Sequence, residues 1–194
     1  MGGAWRTQLV YDYALGGDGV DGVRRQILQE FIPSLGGQPD WAPWTASDTL
    51  FITWVGINDC AFVAVEEIPP LVSKLFDLHD RLYDVGARNF MLVNLPPIQR
   101  SPAAGQSRGK SPYQLWNDSL RETAEQFAAS HKPATILIYS SWDTFTRVLD
   151  NPATFGFKQE DSLKNGGAIW VDHLHPTSRM HDIIACDMAN FWRR

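Results

Sequence analysis

Four short runs of branched and aromatic residues punctuate the chain, and between them apolar residues recur at three- and four-residue spacing. The runs are Gln8–Ala14, bounded by Gly16 and Gly17, then Thr49–Val55, Asn89–Asn94 and Thr135–Tyr139, and each predicts a strand. Thr49–Val55 is apolar nearly throughout, the pattern of a parallel strand covered on both faces. Val23, Ile27 and Phe31 predict a helix from about Asp21 to Ile32, ended by Pro33. Leu71, Leu75, Leu78, Leu82 and Val85 stripe a second helix over Ile68–Val85, with Gly86 as its cap. Ser111-Pro112-Tyr113-Gln114 has the form of a capping box and opens a helix that turns Trp116, Leu120 and Phe127 inward. A short helix over Asp143–Asp150 and a last one over Ser178–Trp192, burying Met180, Ile184, Met188 and Phe191, complete the pattern.

Strands alternating with helices at this spacing imply βαβ units, hence an α/β fold with a parallel sheet and helices on both faces. Ligands in such folds sit outside the carboxyl ends of the strands. Three polar clusters fall there: Gly16-Gly17-Asp18, Gly56-Ile57-Asn58-Asp59 and Asp172-His173-Leu174-His175.

The composition narrows the partners. With 194 residues, 44% of them hydrophobic, the chain can bury one sizeable core, and one domain over residues 1–194 is expected. A net charge of -5 with acids and bases interspersed argues against nucleic acid and an anionic membrane surface, leaving a small, weakly charged molecule as the partner. No apolar run approaches the roughly 20 residues of a membrane span, and the first residues lack the apolar core of a secretory signal. Cys60 and Cys186 both have apolar neighbours and read as small core residues.

The chemistry centres on Asp172 and His175. A carboxylate three residues before a histidine can hold one ring nitrogen, fixing the tautomer and leaving the other free as a general base. The same residues also suit a turn that merely satisfies backbone groups ahead of the last helix. His173, His175 and His181 with Asp172 form a weak case for a metal, because one proline-closed turn seldom presents four convergent ligands; no metal and no cofactor are expected. Gly105-Gln106-Ser107-Arg108-Gly109 fits a nucleophile elbow, but about ten loop residues separate it from the preceding strand, which favours a loop or lid over an elbow carrying Ser107. Gly17, Gly19 and Gly22 have dinucleotide-fingerprint spacing, yet the nearest acidic partner, Asp40, lies in a proline- and tryptophan-rich loop.

Together the blocks resemble the GDSL-type, or SGNH, esterase family, and in particular its fungal acetylesterase branch. Tyr11-Asp12-Tyr13-Ala14-Leu15-Gly16-Gly17 is similar to the family's second block, Trp54–Asp59 to its third, and Asp172-His173-Leu174-His175-Pro176-Thr177 to its fifth. Gly86–Phe90, Asn94-Leu95-Pro96-Pro97, Trp116-Asn117 and Asp150-Asn151-Pro152 fit the same branch, so the resemblance runs in order along nearly the whole chain. It implies a flavodoxin-like three-layer sheet in the order 2-1-3-4-5, and hydrolysis of acetyl or short-chain acyl esters, including acetylated carbohydrates. His175 would be the base, Asp172 its orienter, and the Gly17 N–H and Asn58 amide two oxyanion donors. The family's first block, Gly-Asp-Ser, occurs nowhere in this sequence. The resemblance therefore implies an SGNH-like domain lacking its N-terminal portion, its first strand and its nucleophile: a fragment of an esterase, with little activity by itself, or a pseudoenzyme that binds acyl esters or acetylated sugars. With the first strand missing, Gln8–Ala14 is expected to pair directly with Thr49–Val55, or a second molecule to fill the slot by self-association through the strand edges.

Overall fold

Three of the four apolar runs become strands. In the computed structural model, which describes residues 9–103 and 111–193, β1 (Leu50–Thr53), β2 (Asn89–Val93) and β3 (Thr135–Tyr139) lie parallel in the order β1-β2-β3. Leu50 stands opposite Asn89, and Asn89 opposite Thr135, so side chains sort by period two onto two faces. Phe51, Phe90, Leu92, Ile136 and Ile138 meet one helical layer: α4 (Ile68–Asp84), α5 (Pro112–Ser130) and the helical segment 20–35. Leu50, Met91, Val93, Leu137 and Tyr139 meet the other, α6 (Ser141–Asp150) and α7 (Ser178–Trp192). This is the expected three-layer α/β fold with helices on both sides of a parallel sheet.

Residues 9–14 are not a strand. Leu9 and Val10 are exposed, Ala14 N–H turns back onto Asp12 Oδ1 at 2.9 Å, and only Tyr13 packs inward, edge-on against Phe31. β-forming composition makes a strand only where a neighbouring strand supplies the ladder. The segment does not slide in to pair with β1, so the sheet keeps three strands among the described residues and β1 ladders on β2 alone. As an edge strand β1 is shorter than its apolar run and is not covered on both faces: Ile52, on the α6–α7 side, is 54% exposed.

Pro33 does not end the first helix. α1 (Val20–Arg25) passes through a π-helical stretch, Gln26–Phe31, into α2 (Ile32–Leu35). The wider π-turn re-aims the carbonyls that a proline ring would strike, so the helix continues past it. The capping box of α5 is half made: Ser111 N–H donates to Gln114 Oε1 at 3.3 Å, while Ser111 Oγ bonds nothing among the described residues. Gly86, at φ +111°, lets Ala87 N–H close on Leu82 O at 3.0 Å and stops α4 where its sequence indicated. Cys60 is buried, whereas Cys186 is exposed, because α7 faces the core with Met180 and Ile184 and carries position 186 away from that stripe.

Candidate active site

The acid and the histidine sit in a turn tied shut at its base. Trp170 and Pro176 form an antiparallel bridge, Val171 N–H donates to His175 O at 2.8 Å, and Thr177 N–H donates to Ile169 O at 2.9 Å. Thr177 Oγ1 donates to Ala168 O at 2.7 Å and accepts Met180 N–H at 3.3 Å, so one residue closes the turn and caps α7. Upstream, the Asp161 carboxylate accepts the N–H groups of Lys158 and Ala168, at 2.8 and 3.2 Å, and bends the chain into the turn.

Inside the turn Asp172 serves backbone and side chain at once. Its Oδ1 accepts the N–H groups of His175 and Leu174, each at 2.7 Å, and its Oδ2 stands 2.8 Å from His175 Nδ1. The backbone contacts and the ring contact that the spacing allows are thus made together. The His175 backbone N–H, then that of Leu174, then the imidazole hold the Asp172 carboxyl well below the usual carboxylate range. An ionised carboxylate only accepts, so Nδ1 carries a proton and, in the neutral ring, Nε2 is the acceptor. The His175 side chain is 71% exposed, which leaves Nε2 open to a reacting group. His173 and His181 are also exposed.

The second cluster joins two segments far apart in sequence. Beyond β1, Gly56 at φ +121° turns the chain into α3 (Ile57–Phe62), and a Cβ there would lie 2.4 Å from the Trp116 ring. Only glycine fits that approach. The turn aims Asn58 and Asp59 at the loop ahead of α1: Asn58 Nδ2 donates to Asp18 O at 3.0 Å, and Val20 N–H donates to Asp59 Oδ1 at 3.1 Å. Gly17, in the left-handed region at φ +89°, heads that loop and is exposed. An amide has two N–H groups, and Asp18 O takes one of those of Asn58. The Asp18 carboxylate folds over Gly22, where a Cβ would meet it at 2.2 Å, and takes Arg25 Nη2 at 2.7 Å and Gln26 Nε2 at 2.9 Å. The glycine-rich turn is therefore filled by its own acid, where a bound pyrophosphate would need to approach.

The structure brings Gly17, Asp18, Asn58 and Asp59 into one cluster and Asp172 and His175 into another. The second is tethered to the segment leaving β2, through Ala103 N–H donating to His173 O at 2.8 Å. Ser107 and its flanking glycines lie outside the described residues. A polar cleft of about 460 Å³ opens beyond β2 and β3, lined by Asn94, Asn117, Arg121, Ser140 and Trp142 among others. Asn117 clasps Leu95 through both atoms of its amide, accepting the backbone N–H at 2.7 Å and donating to the carbonyl at 2.9 Å. Asn94 receives Trp142 N–H at 3.0 Å and so fixes the start of α6. The contacts of Asp18 and Asp59 were not legible from residue spacing; the signal was the glycines at 19 and 22, which leave room for the two carboxylates.

Comparison with known proteins places this geometry in a family. Among curated proteins, an acetylesterase of Thermothelomyces thermophilus is 28% identical over 212 aligned residues, covering 96% of this chain and 70% of that protein. A GDSL esterase/lipase of Arabidopsis thaliana is 30% identical over 145 residues, covering 59% of this chain and 40% of its own length. The chain thus spans well under the full length of the curated relatives it matches. A solved structure described as a gut microbial diltiazem-metabolizing enzyme aligns over 90% of this chain and 37% of that one, at 13% identity and a TM-score of 0.49. The family model for GDSL-like lipases and acylhydrolases matches residues 2–188, a span that takes in the Asp172–His175 turn and runs into α7, and the chain belongs to that family.

Proposed function

We propose that this chain carries the base and two oxyanion donors of an ester hydrolase acting on acetyl or short-chain acyl esters. The carrying observation is the Asp172–His175 pair, with Nδ1 held at 2.8 Å and Nε2 open. In this reading Nε2 of His175 takes the proton from a serine hydroxyl as it attacks the acyl carbon, and returns it to the departing alcohol. Asp172 keeps the ring oriented and balances the imidazolium. The Gly17 N–H and the free N–H of Asn58 receive the oxyanion, neutral donors set in place before charge develops. The attacking serine is absent from the family's usual Gly-Asp-Ser, which this sequence does not contain. A second reading is a pseudoenzyme that binds acyl esters or acetylated sugars without cleaving them. A further part of the proposal is self-association through the outer edge of β1, supported by its pairing with β2 alone among the described residues.

The test is complementation. The 194-residue chain alone is expected to show negligible turnover of p-nitrophenyl acetate. Fused to an N-terminal segment bearing Gly-Asp-Ser from another family member, it is expected to hydrolyse that ester, and His175→Ala is expected to abolish the gain. A fusion that stays inactive while the chain binds the ester supports the pseudoenzyme. Robust turnover by the chain alone that Ser107→Ala removes overturns the assignment of the nucleophile. Sedimentation of the chain as a monomer at micromolar concentration overturns the self-association.

A further inference from the structure

We propose that Asp59 is a positioning residue: it caps α1 from across the site and holds the loop bearing Gly17 against the turn bearing Asn58. The inference rests on the reading of Gly17 and Asn58 as oxyanion donors. Three observations carry it. First, α1 starts at Val20 behind Gly19, a residue with no side chain to cap it, and the N–H of Val20 donates instead to Asp59 Oδ1, 39 positions away. A carboxylate at that end satisfies an orphan donor and complements the helix dipole. Second, the neighbouring Asn58 makes the converse bond, donating to Asp18 O. Adjacent residues of one turn thus grip the same loop in opposite senses, one giving a proton to a carbonyl and the other taking one from an N–H, which fixes the loop in register as well as distance. Third, the carboxylate occupies the place a side chain at 19 would need: a Cβ there would lie 2.6 Å from Asp59 Oδ1. Gly19 is therefore the complement of Asp59.

The second oxygen shows what the arrangement costs. Asp59 Oδ2 is buried and bonds nothing among the described residues. Burial of an unpaired carboxylate oxygen is unfavourable, and an apolar residue would fill the volume without that penalty. The acid is retained for what Oδ1 does. A merely structural filler would have no need of an acceptor aimed at Val20, nor of glycine at 19.

The measurement is made by NMR on the 194-residue chain, following hydrogen exchange of the Val20 amide and the Asn58 side-chain amide signals. Asp59→Ala is expected to speed Val20 exchange about tenfold, the scale of a lost helix cap, and to move the Asn58 signals, while the amides of β2 and β3 keep their protection. Asp59→Asn, which keeps an oxygen at Oδ1, is expected to restore both. Gly19→Ala is expected to reproduce Asp59→Ala by displacing the carboxylate, and the two changes combined to be no worse than either alone. Unmoved Asn58 signals in Asp59→Ala, equal loosening of β2 and β3, or failure of Asp59→Asn to rescue overturns the inference. If Asp59→Ala does not fold, Gly19→Ala and Asp59→Asn decide it. None of these readouts needs turnover: a clamp that fails in a chain whose fusion is active strikes this inference alone, and a clamp that holds in an inactive fusion strikes the esterase reading alone.

Discussion

The two halves of the candidate site are built in opposite ways. The Asp172–His175 half is local: every bond that shapes it lies between residues 158 and 180, apart from the tether at Ala103. The Gly17–Asn58 half exists only because chain segments about 40 residues apart meet, with α1 and the turn after β1 each needing the other. A local turn can lose its chemistry and leave the fold alone. A tertiary clamp cannot, because the Asn58 side chain also holds the loop through Asp18 O.

The strongest way to break that contrast is at His175. In a fusion supplied with Gly-Asp-Ser, His175→Ala is expected to lower kcat by roughly a millionfold and Asp172→Ala by roughly ten-thousandfold. Because the His175 side chain is mostly exposed, His175→Ala is expected to leave Tm within about a degree of the parent by calorimetry. Asn58→Ala comes next. It is expected to lower kcat by about a hundred- to a thousandfold and also to destabilise the chain by about 1 kcal/mol, since Asp18 O loses its donor. An Asn58→Ala protein that melts with the parent would erase the distinction between the halves.

Gly56→Ala tests the tertiary half through packing alone. The methyl would strike the buried Trp116 ring, and φ +121° is strained for alanine, so a loss of at least about 2 kcal/mol is expected, read as a fall in Tm of roughly 5 °C or more. The smallest effect concerns pH. His79 is fully buried between Leu75 O and Thr53 Oγ1, and burial holds its pKa below the usual histidine value, against the opposing pull of the Leu75 carbonyl. The unfolded chain therefore binds a proton that the folded chain refuses, so stability is full above about pH 6.5 and declines as pH falls below it. Replacing His79 by glutamine is expected to flatten that part of the Tm–pH curve; an unchanged slope would assign it to other groups.

The contrast also explains what the sequence made legible. Asp172 and His175 are readable because their partners are a few residues away, where spacing alone decides contact. Gly17, Asn58 and Asp59 could be placed at a strand end and a helix start by periodicity, but the bonds among them depend on how α1 packs, which no local pattern encodes. Gln8–Ala14 failed for the same reason in reverse: its composition suits a strand, but strand formation belongs to a pair, and residues 9–14 find no ladder. Thr49–Val55 read as doubly covered because its residues are apolar, yet cover is supplied by neighbours, and the layer of α6 and α7 leaves Ile52 open. Pro33 read as a helix end because the π-turn that accommodates it has no sequence signature of its own.

The bridge between Trp170 and Pro176 makes the acid–histidine turn a cassette whose two ends already touch. A loop closed at its base can be exchanged as a unit: what lies between the ends may change in length or identity while the flanking chain keeps its course into α7. Evolution and protein engineering can therefore tune or erase the base in this fold, by insertion between Asp172 and His175 for example, without renegotiating the core. The replaceable part is residues 171–175, while Trp170 stays anchored in the core against Phe145.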